Sequence, residues 1–561
     1  MEYNPPWLRF YDGMSPHLDY PQKTMWQLVA DAAAQWPKHT AYEFMGRRTR
    51  YAALPRRIAR VARALCRQGV RPGDRVAICM PNCPQAVDAL YACNRLGAVA
   101  VMIHPLAAPM EIAACLRNCR LVLTLDRLLE RVGSAAVAQQ PEPVVVAASL
   151  ADELPLWAAA VARRPHRQRG SFLRWRAFLR AGEAQPLPDC PTGPSDAAVM
   201  LFSGGTTGES KGVLLSNRNL NALALQTIEA SGCKPLAGMK MLAAMPLFHG
   251  FGLGIGVHTP LVAGAACILV PRFTPEGYAR LLRTRRPDFV PGVPTLFEAM
   301  TRSKQLERAD LRFLRGVFCG GDTLPPPLRQ KINAFLAARG CTVQIREGYG
   351  TTECVTASCL TPVAYHREGS IGIPFPDTWY TITSPGTTSV LPVGEEGEIC
   401  LRGPTVMMGY ADAPEATAQA LRRHADGFLW LHTGDLGRMD ADGFVYFSQR
   451  IKRMIITSGY NVYPSQIEAC LDAHPKLRAS CVVGVPDAYR MQRVRAYVVP
   501  RAGVEAGESL RKELLDWCAA RLARYALPRE LVFCTELPRT AVGKINYRLL
   551  EDAAYGGAGH Q

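Results

Sequence analysis

The sequence predicts a two-part α/β protein, and three observations lead to this fold class. Helical patterns alternate with short apolar or β-branched runs over residues 24 to 190, an alternation typical of βαβ units. A second, compact α/β pattern fills the residues after 450. The length of 561 residues exceeds what one ordinary hydrophobic core organises, so two or more domains are expected.

The elements of the N-terminal part follow from the spacing of their apolar residues. Helical spacing predicts the helices Met25–Ala34, Leu54–Gln68 and Cys83–Leu96. Short apolar runs predict the strands Arg75–Met80, Ala98–His104, Leu121–Leu125, Leu242–Ala244, Cys267–Val270 and Leu314–Cys319. This part is therefore expected to contain sheets covered by helices.

The pattern changes towards the C-terminus. Short strands with Gly/Asp turns, at Glu395–Arg402 and from Phe444 onwards, predict a small β-rich subdomain. The elements predicted after Arg450 are the helices Pro464–Ala473 and Leu510–Arg524 and the strands Ala479–Val485, Val494–Val499 and Glu530–Thr535. We place the boundary at Arg450–Arg453, which divides the chain into an N-terminal domain, 1–450, and a small, mobile C-terminal α/β domain, 451–561.

Composition indicates an ordinary globular protein, with 48% hydrophobic and 20% charged residues. The first residues lack the continuous apolar core of a signal peptide. The 18 cysteines include no Cys-x-x-Cys pair, and the closest pairs, Cys79/Cys83 and Cys115/Cys119, have no neighbours at metal-site spacing. We therefore expect buried, reduced thiols in a cytoplasmic protein.

The net charge of +17 favours anionic ligands or anionic membrane surfaces. The charge also matches a compositional bias towards arginine, because 54 of the 65 basic residues are arginines. The net charge alone therefore does not identify a ligand or a membrane surface. The stretch 161–180 combines seven arginines with Phe172, Trp175 and Phe178. Two readings stay open for it: a solvated helix and loop, or contact with the inner face of a membrane.

One segment is long enough to span a bilayer. Residues 241–271 contain no Asp, Glu, Lys or Arg. They do contain Pro246, Pro260, two histidines and five glycines, which suit buried strands and turns better than a helix exposed to lipid. We predict a buried segment here.

A glycine- and hydroxyl-rich loop, Ser203–Gly212, follows the apolar run Ala197–Phe202. A strand followed by such a loop frees backbone N–H groups to surround a polyphosphate, and Lys211 adds a cation. A Walker loop would place Gly-Lys-Ser/Thr at the start of a helix, and that order is absent here. By itself the loop is equally consistent with a plain surface turn.

Six further motifs follow the loop in order, and together they identify a family. They are Met245–Gly250, Cys319–Asp322, Gly348–Glu353, Leu431–Leu436, Arg450–Ile455 running into Ser458–Pro464, and Leu537–Ile545. Over residues 20 to 552 the chain resembles the adenylate-forming superfamily of acyl-CoA synthetases, luciferases and peptide-synthetase adenylation domains. The Gly-Gly-Thr-Thr-Gly form of the loop, Gly369–Pro374, Glu398–Tyr410 and Tyr460–Pro464 before Gln466–Glu468 look most like long-chain fatty-acid–CoA ligases.

The resemblance implies a nucleotide site. A carboxylate becomes an acyl donor through a mixed anhydride with AMP, which concentrates negative charge that cations and fixed donors must stabilise. By resemblance Glu353 carries Mg²⁺, Thr352 contacts the α-phosphate and Lys544 serves adenylation. The remaining ATP- or AMP-binding residues implied are Ser203, Gly205, Thr206, Thr207, Gly208, Lys211, Gly320, Gly321, Asp322, Tyr349, Gly350, Thr351, Asp435 and Arg450.

The resemblance also implies a second pose of the C-terminal domain. Lys452 matches the hinge, and Ser458, Gly459 and Tyr460 match the CoA site, where a glycine would admit the thin pantetheine arm. His249 closes the carboxylate entrance in the family. The implied acyl pocket comprises Phe248, Gly252, Gly254 and Val293, and the alternating glycines from Gly250 to Gly256 predict either space or close packing there.

Four positions depart from the family's usual residues, namely Gly204, Ser210, Gln449 and Arg453. None removes a catalytic group. They affect the expected rigidity of the loop and the equilibrium of the hinge, and Arg453 is also readable as a solvated linker charge.

The predicted function is that of an ATP-dependent acyl-CoA synthetase acting on a hydrophobic, medium- to long-chain fatty acid, with ATP, Mg²⁺ and CoA. The alternatives are an acyl-AMP ligase that loads a carrier protein, an aryl-acid–CoA ligase, and a non-catalytic lipid- or nucleotide-binding relative. Lys544, Glu353, Asp435 and Arg450 count against the last. No nucleic-acid partner is expected, while homodimer formation, pathway and chain length stay open.

Overall fold

A computed structural model describes residues 5–154, 172–189, 192–203, 210–453, 455–457, 460–487, 491–522, 524–539 and 545–556. The chain forms two compact units. Unit 1 comprises Met1–Thr381, Cys400–Thr433 and Asp440–Val445, and unit 2 comprises Ile382–Ile399, Gly434–Met439 and Tyr446–Gln561.

The α-helices in the described residues are α1 Met25–Gln35, α2 Leu54–Arg67, α3 Pro84–Arg95, α4 Pro109–Cys115, α5 Leu129–Val137, α6 Trp175–Ala181, α7 Asn217–Ala230, α8 Thr259–Val262, α9 Pro275–Arg285, α10 Pro294–Thr301, α11 Pro326–Ala337, α12 Pro414–Ala420, α13 Pro464–Asp472, α14 Glu508–Ala519 and α15 Tyr547–Gly556.

The strands in the same residues are β1 Thr40–Phe44, β2 Arg47–Arg50, β3 Arg75–Cys79, β4 Val99–Met102, β5 Cys119–Leu125, β6 Val144–Ala148, β7 Leu173–Arg174, β8 Ala197–Ser203, β9 Lys211–Ser216, β10 Lys240–Ala243, β11 Ala266–Leu269, β12 Phe289–Gly292, β13 Gly316–Cys319, β14 Ile345–Tyr349, β15 Cys359–Leu360, β16 Ile373–Pro374, β17 Trp379–Thr383, β18 Gly397–Arg402, β19 Gly409–Tyr410, β20 Leu421–Arg423, β21 Leu429–Met439, β22 Val445–Arg450, β23 Ile455–Thr457, β24 Tyr460–Val462, β25 Leu477–Asp487, β26 Met491–Pro500 and β27 Glu530–Phe533.

Unit 1 contains an eight-stranded sheet in the order β19-β9-β8-β4-β3-β5-β6-β7. Its centre is parallel, with Val76 opposite Ala100 on one side and Leu121 on the other. Strand β4 is buried along its whole length, as expected for a parallel strand covered on both faces. The antiparallel pair β8–β9 carries the glycine-rich loop at its tip.

Unit 1 also contains a nine-stranded sheet, in the order β16-β15-β14-β13-β12-β10-β11-β1-β2. Strands β12, β13 and β14 run parallel, so their carboxyl ends lie at one edge. Ligands of open α/β sheets bind at this edge. The motifs Cys319–Asp322 and Gly348–Glu353 follow β13 and β14 there.

Several helices begin where the sequence provides a cap. The Thr24 side chain accepts from the Gln27 N–H and the Gln27 side chain accepts from the Thr24 N–H, which forms a capping box at the start of α1. Ser216 and Asn219 do the same for α7. Helix α3 is buried from Pro84 to Asn94, because it is covered on all sides within unit 1.

Unit 2 holds a sheet of its own, in the order β24-β23-β26-β25, with β27 parallel to β26. Apolar side chains on one face, including Val494 and Val498, pack with Ile467 and Leu514 of helices α13 and α14. A second cluster on Cys481, Val483 and Tyr497 includes residues of α15. Local sequence pattern produces this compact α/β fold because each strand alternates between the two clusters.

The predicted fold class is confirmed, and the predicted helices and strands agree with the structure to within a few residues, the C-terminal end of α14 differing most. Among the described residues no helix is both long and apolar enough to cross a bilayer. The charge-free segment 241–271 contains an unpredicted π-helical turn, Phe251–His258, all of it buried. Trp175 and Phe178 are buried with 5% and 1% exposure, so they are core side chains and not a membrane-facing pair.

Candidate active site

The base of the glycine-rich loop is fixed by strand pairing. Ser203 at the end of β8 lies opposite Lys211 at the start of β9, and Ser210 Oγ donates to the Ser203 carbonyl at 2.9 Å. Lys211 therefore starts a strand and not the helix of a Walker loop. The predicted contacts Gly205, Thr206, Thr207 and Gly208 lie outside the described residues.

Tyr410 connects the loop base to the predicted metal-binding carboxylate. Its hydroxyl donates to Glu353 Oε1 at 2.8 Å, and Lys211 Nζ lies 5.0 Å from its ring centroid. Strand β19 holds the tyrosine in place because Tyr410 pairs with Val213 of β9. The sequence prediction assigned no role to Tyr410, although it ends the stretch Glu398–Tyr410 that supported the resemblance.

Glycines let the ends of three neighbouring strands approach closely. The Gly320 N–H donates to the Gly292 carbonyl at 3.1 Å, and a Cβ on Gly320 would lie 3.2 Å from the Gly348 carbonyl oxygen. A Cβ on Gly350 would lie 2.2 Å from the Thr356 oxygen, a distance no real side chain tolerates. Gly321 has φ +82°, which favours glycine. Tyr349 ends β14, and Asp322 Oδ1 accepts from the Thr323 N–H at 3.0 Å.

Glu347 lies in β14, one residue before the motif Gly348–Glu353, and its sequence position had predicted no role for it. Its Oε1 accepts from the Leu324 N–H at 3.1 Å, which ties β14 to the loop that follows β13. Burial raises the pKa of its carboxyl group to about 7, against the backbone hydrogen bond and the Arg329 guanidinium, which lower it. Two adjacent charged residues, Arg346 and Glu347, inside the short strand Ile345–Tyr349 were the available signal.

The residues after β14 form a strained turn. Thr351 caps a short 3-10 helix, Thr352–Cys354, and Glu353 is half-buried within it. Val355 follows with φ +68°, an outlier for a β-branched residue. Its carbonyl oxygen lies so close to Gly250 that a Cβ there would be 1.7 Å away. This contact brings the His249 motif against the Glu353 turn.

The glycines after His249 provide close packing. A Cβ on Gly252 would lie 2.0 Å from the Pro246 oxygen, and one on Gly254 would lie 2.5 Å from Leu223 Cδ2. Of the two readings given by the sequence, close approach is the one observed at these positions. Phe248 packs against the His104 ring at 4.3 Å between centroids. Val293 lies by the other loop, with its Cγ1 3.6 Å from a Cβ built on Gly321.

In unit 2 the two predicted ribose contacts lie together. Arg450 Nε and Asp435 Oδ1 are 2.8 Å apart, with the Asp435 side chain 1% and the Arg450 side chain 48% exposed. The neighbouring Gly434 N–H donates to Glu398 Oε1 at 3.0 Å. The buried carboxylate and the half-exposed guanidinium together place a negative and a positive group side by side, where a ligand could hydrogen-bond to both.

The hinge region shows why Arg453 replaces an acidic residue. Its guanidinium pairs with Glu468 Oε1 at 2.5 Å and lies 4.8 Å from the Tyr547 ring centroid. Burial opposes the charge, but the Glu468 carboxylate holds the pKa of Arg453 above its ordinary value. The reading of Arg453 as a solvated linker charge is wrong, because its side chain is only 18% exposed.

Gln449 also departs from the family's usual residue, and the structure describes its surroundings. Gln449 is buried, and its Oε1 accepts from Ser465 Oγ at 3.2 Å. Ser458, Gly459 and Lys544 lie outside the described residues, as do the side chains of Lys452 and Tyr460. The roles predicted for these five residues stay predictions.

Comparison with known proteins agrees with these motifs. The chain matches the family model described as AMP-binding enzyme over residues 29–411, and the AMP-binding enzyme C-terminal domain over residues 466–544. A long-chain-fatty-acid–CoA ligase of Bacillus subtilis (strain 168) is 33% identical over 98% of this chain and 99% of its own length. A feruloyl-CoA synthase of Amycolatopsis sp is 35% identical, over 91% of this chain and 94% of its own.

A solved structure extends the comparison to three dimensions. The ATP-bound crystal structure of MatB from Rhodopseudomonas palustris matches with a TM-score of 0.81 and 26% identity, over 95% of this chain and 99% of that chain.

Proposed function

The chain belongs to the family of AMP-binding enzymes and is an adenylate-forming acyl- or aryl-CoA ligase, and from this premise we propose that its acid is a medium- to long-chain fatty acid. The observation that carries this proposal is the similarity to a long-chain-fatty-acid–CoA ligase over 98% of the chain. The segment after His249, which borders the acyl pocket in the family, is apolar and buried at Phe251, Leu253 and Ile255, in keeping with a hydrophobic acid.

The reaction has two steps. In the first, a carboxylate oxygen attacks the α-phosphorus of ATP, the bond to the β-phosphate oxygen breaks, and pyrophosphate leaves. In the second, the CoA sulfur attacks the acyl carbon of the acyl-AMP, the thiol proton is lost, and AMP leaves with the electron pair of the broken anhydride bond. Both steps move negative charge, so fixed cations and donors are the groups that accelerate them.

We assign the β- and γ-phosphates to the loop above the β8–β9 pair, with Thr206, Thr207 and Lys211 as contacts. Lys211 is already held over the Tyr410 ring, so its cation is positioned before ATP binds. The Thr352 hydroxyl is assigned to the α-phosphate. Preorganisation of this kind reduces the reorganisation needed during the reaction.

Glu353 fits a magnesium ion. Mg²⁺ takes carboxylate and phosphate oxygens, and Glu353 offers a half-buried carboxylate that Tyr410 orients beside Lys211. When bound, Mg²⁺ would neutralise charge on the phosphate oxygens. The Tyr410 hydrogen bond fixes one carboxylate oxygen, so the other is the one we assign to the metal.

For the nucleoside, the loop after β13 exposes the backbone at Gly321 and the side chain of Asp322. We assign the adenine to Gly320, Gly321, Asp322 and Tyr349 because bases stack on surfaces without side-chain bulk. The ribose hydroxyls are assigned to the ion pair Asp435–Arg450. A carboxylate accepts two hydroxyl protons of a diol and the guanidinium donates to their oxygens.

The thioester step uses a second pose of the C-terminal domain in this proposal. Lys544 acts in the first step, and Ser458, Gly459 and Tyr460 line the CoA path in the second. Arg453 is fixed to Glu468 within unit 2, so we place the pivot no later than Lys452. His249 is assigned to the entrance through which the acid arrives.

Two alternative functions would use the same chemistry. An aryl acid is favoured by the 35% identity to a feruloyl-CoA synthase, and a carrier-protein pantetheine replaces CoA without any change in the bonds made. The presence of Gly459 and of the intact sequence Asn461–Pro464 favours free CoA as the acceptor.

The test is a panel of acids assayed for CoA-dependent AMP release, containing acetate, butyrate, laurate, palmitate, benzoate and ferulate. Each methylene buried in an apolar tunnel adds about 0.8 kcal/mol, so kcat/KM is expected to rise with chain length until the tunnel ends. A peak at acetate or butyrate, or turnover confined to ferulate, would refute the fatty-acid proposal. Pyrophosphate exchange without thioester formation would point to a carrier protein as acceptor.

We also propose a cytoplasmic protein that contacts anionic membranes reversibly. Since Trp175 and Phe178 are buried, the contact rests on charge, and each exposed arginine near anionic lipid contributes about 1 kcal/mol. Binding to phosphatidylserine vesicles should therefore vanish at high salt and when Arg174, Arg176 and Arg180 become Gln. Whether the protein forms a homodimer is checked by light scattering.

A further inference from the structure

Three side chains that bind transition metals converge inside unit 1. Cys400 lies in β18, His432 lies in β21, and His424 follows β20. One ligand atom from each residue lies within 4.8 Å of the others. All three are buried, with Cys400 at 0%, His424 at 6% and His432 at 7% exposure.

The hairpin β20–β21 places the two histidines together. Its strands pair antiparallel, with Leu421 opposite Leu431 and Arg423 opposite Leu429. The His424 N–H donates to the Phe428 carbonyl at 3.0 Å where the chain turns. This register places His424 opposite Phe428, so the two histidines lie at different levels of the hairpin, and their rings meet at the Nε2 atoms. They are eight residues apart in sequence, which is why no short Cys/His motif revealed the cluster.

The geometry inside the cluster is close to what a metal requires. Cys400 Sγ lies 3.4 Å from His432 Nδ1, and His424 Nε2 lies 3.0 Å from His432 Nε2. Tetrahedral Zn²⁺ binds sulfur at about 2.3 Å and imidazole nitrogen at about 2.0–2.1 Å, so its ligand atoms are separated by about 3.5 Å. The two contacts have separations of this size, but they use opposite nitrogens of His432 and cannot both surround one ion. The three ligand atoms that a single ion would use lie within 4.8 Å of one another, so they must approach by up to about 1 Å.

A neighbouring aromatic residue, Trp430, holds His424 in orientation. The His424 ring stacks on Trp430 with centroids 5.3 Å apart and planes at 20°. Trp430 is itself fixed because its Nε1–H donates to Asp426 Oδ2 at 3.0 Å. Outer groups that orient imidazole ligands are a regular part of metal sites.

We propose that Cys400, His424 and His432 form a binding site for one thiophilic transition-metal ion, of which Zn²⁺ is the probe. A thiolate with two imidazoles is a donor set that selects zinc or copper over Mg²⁺. One ion binds only one nitrogen of His432, and because His424 is held by Trp430, the Cys400 side chain turns to complete the set. Water takes the fourth position. The Cys400 thiol loses its proton on binding, and the affinity therefore rises with pH.

A simpler reading of the same contacts is a chain of hydrogen bonds from the Cys400 thiol through His432 to His424. Such a chain satisfies three buried polar groups without any ion. The two readings differ in one measurable quantity, the metal content, which depends neither on the acid substrate nor on activity.

The experiment uses the full chain without a histidine tag, loaded with ZnSO₄ and dialysed against a weak chelator. We expect about one equivalent of zinc per chain by elemental analysis. It should be lost in Cys400→Ser and in His424→Gln, and retained in Cys267→Ser. Cys267 is the matched control because it is also fully buried, with its thiol donating to the Val257 carbonyl at 3.6 Å.

Cobalt provides a readout at the ligands themselves. Co²⁺ bound to Cys400 should give a thiolate-to-metal charge-transfer band that is absent in Cys400→Ser and present in Cys267→Ser. If Cys400→Ser fails to fold, His424→Gln decides, with gel filtration as the check of folding. Wild-type protein without bound zinc after loading, or equal zinc in Cys267→Ser and His424→Gln, overturns the proposal in favour of the hydrogen-bonded chain.

Discussion

At the scale of single residues, Tyr410 makes two contacts that substitution can separate. Its ring lies 5.0 Å from Lys211 Nζ, while its hydroxyl donates to Glu353. Tyr410→Phe keeps the ring and removes the hydrogen bond. A hydrogen bond to a charged group contributes about 1.5–3 kcal/mol, so kcat/KM should fall by about tenfold or more.

The measurement for Tyr410→Phe is the magnesium dependence of acid-dependent pyrophosphate exchange. We expect a higher half-saturating Mg²⁺ concentration, because the Glu353 carboxylate loses its fixed orientation. Tyr380→Phe is the control, since Tyr380 is a buried tyrosine that hydrogen-bonds Ser358 instead. Unchanged magnesium dependence in Tyr410→Phe would show that Glu353 does not hold the metal.

Glu347 makes stability depend on pH. Burial raises the pKa of its carboxyl group from 4.5 to about 7, so the folded protein binds more protons than the unfolded chain between these values. Stability contributed by the neutral form is therefore complete below pH 4.5 and is lost as pH rises to 7. Arg329 lies 4.0 Å from Glu347 and partly offsets this loss.

Glu347→Gln removes the titration and keeps an oxygen for the Leu324 N–H. Each unit of pKa shift corresponds to about 1.4 kcal/mol, so the variant should be more stable than wild type by about 3 kcal/mol at pH 8 and equal to it near pH 4.5. Thermal unfolding at pH 5 and pH 8 measures the difference. The exposed Glu307→Gln should show no such dependence, and an equal response of both variants would contradict the assignment.

At the scale of elements, two glycines in one segment differ in how closely they are packed. Gly256 lies within the π-helical turn Phe251–His258, and Gly250 is the residue before it. A Cβ on Gly250 would lie 1.7 Å from the Val355 carbonyl oxygen, while one on Gly256 would have its nearest neighbour at 3.7 Å. Val355 is already in a strained conformation and has little freedom to move. The two positions therefore form a matched pair within one segment.

Gly250→Ala should destabilise the protein by about 1–3 kcal/mol or more through overpacking, and Gly256→Ala should be close to neutral. The midpoint of thermal unfolding compares them directly. Gly250→Ala should also lower adenylation activity, because the Val355 turn follows Glu353. Equal midpoints for the two variants would mean that the backbone relaxes there.

The same packing bears on the acyl pocket. Bulk at Gly254 meets Leu223 Cδ2 at 2.5 Å, the end of a flexible side chain, so Gly254→Trp tests folding as well as chain-length preference. We expect the variant to favour short acids while it keeps turnover of butyrate. Its profile is informative only beside a measurement of its unfolding midpoint.

At the scale of the whole molecule, the proposed function alternates between two poses of the C-terminal domain. Lys544 belongs to the sequence predicted to form that domain, 451–561, and lies outside the described residues. A cation on a moving domain serves one of two poses, so Lys544→Ala should abolish adenylation and spare thioester formation from a supplied acyl-adenylate. Loss of such a charge-stabilising contact typically lowers the rate by about a hundredfold or more.

Both half-reactions of Lys544→Ala are measured separately, by pyrophosphate exchange and by CoA consumption from synthetic acyl-AMP. Lys476→Ala is the matched control, because Lys476 is a unit 2 lysine that pairs with Glu513 at the surface. Equal loss in both half-reactions would contradict the assignment of Lys544 to one pose.

The sequence by itself determined the α/β class, the small C-terminal domain and the family, because these follow from local patterns. Apolar spacing sets helices and strands, and the strands Arg75–Cys79 and Gly316–Cys319 appear within a few residues of their predicted bounds. Ordered motifs identified the family without any knowledge of contacts. The positions of Gly320, Gly350 and Gly250 were likewise visible as glycines.

Only the tertiary structure decided which distant residues meet. Tyr410 reaches Glu353 across 57 positions, Arg453 finds Glu468 across 15, and Cys400 faces His432 across 32. No local periodicity contains such pairs, because they depend on how strands are ordered in a sheet and how a chain turns between them. The sequence showed glycines after His249, but whether they make space or close packing depends on what lies opposite, and that is the Val355 turn and Leu223.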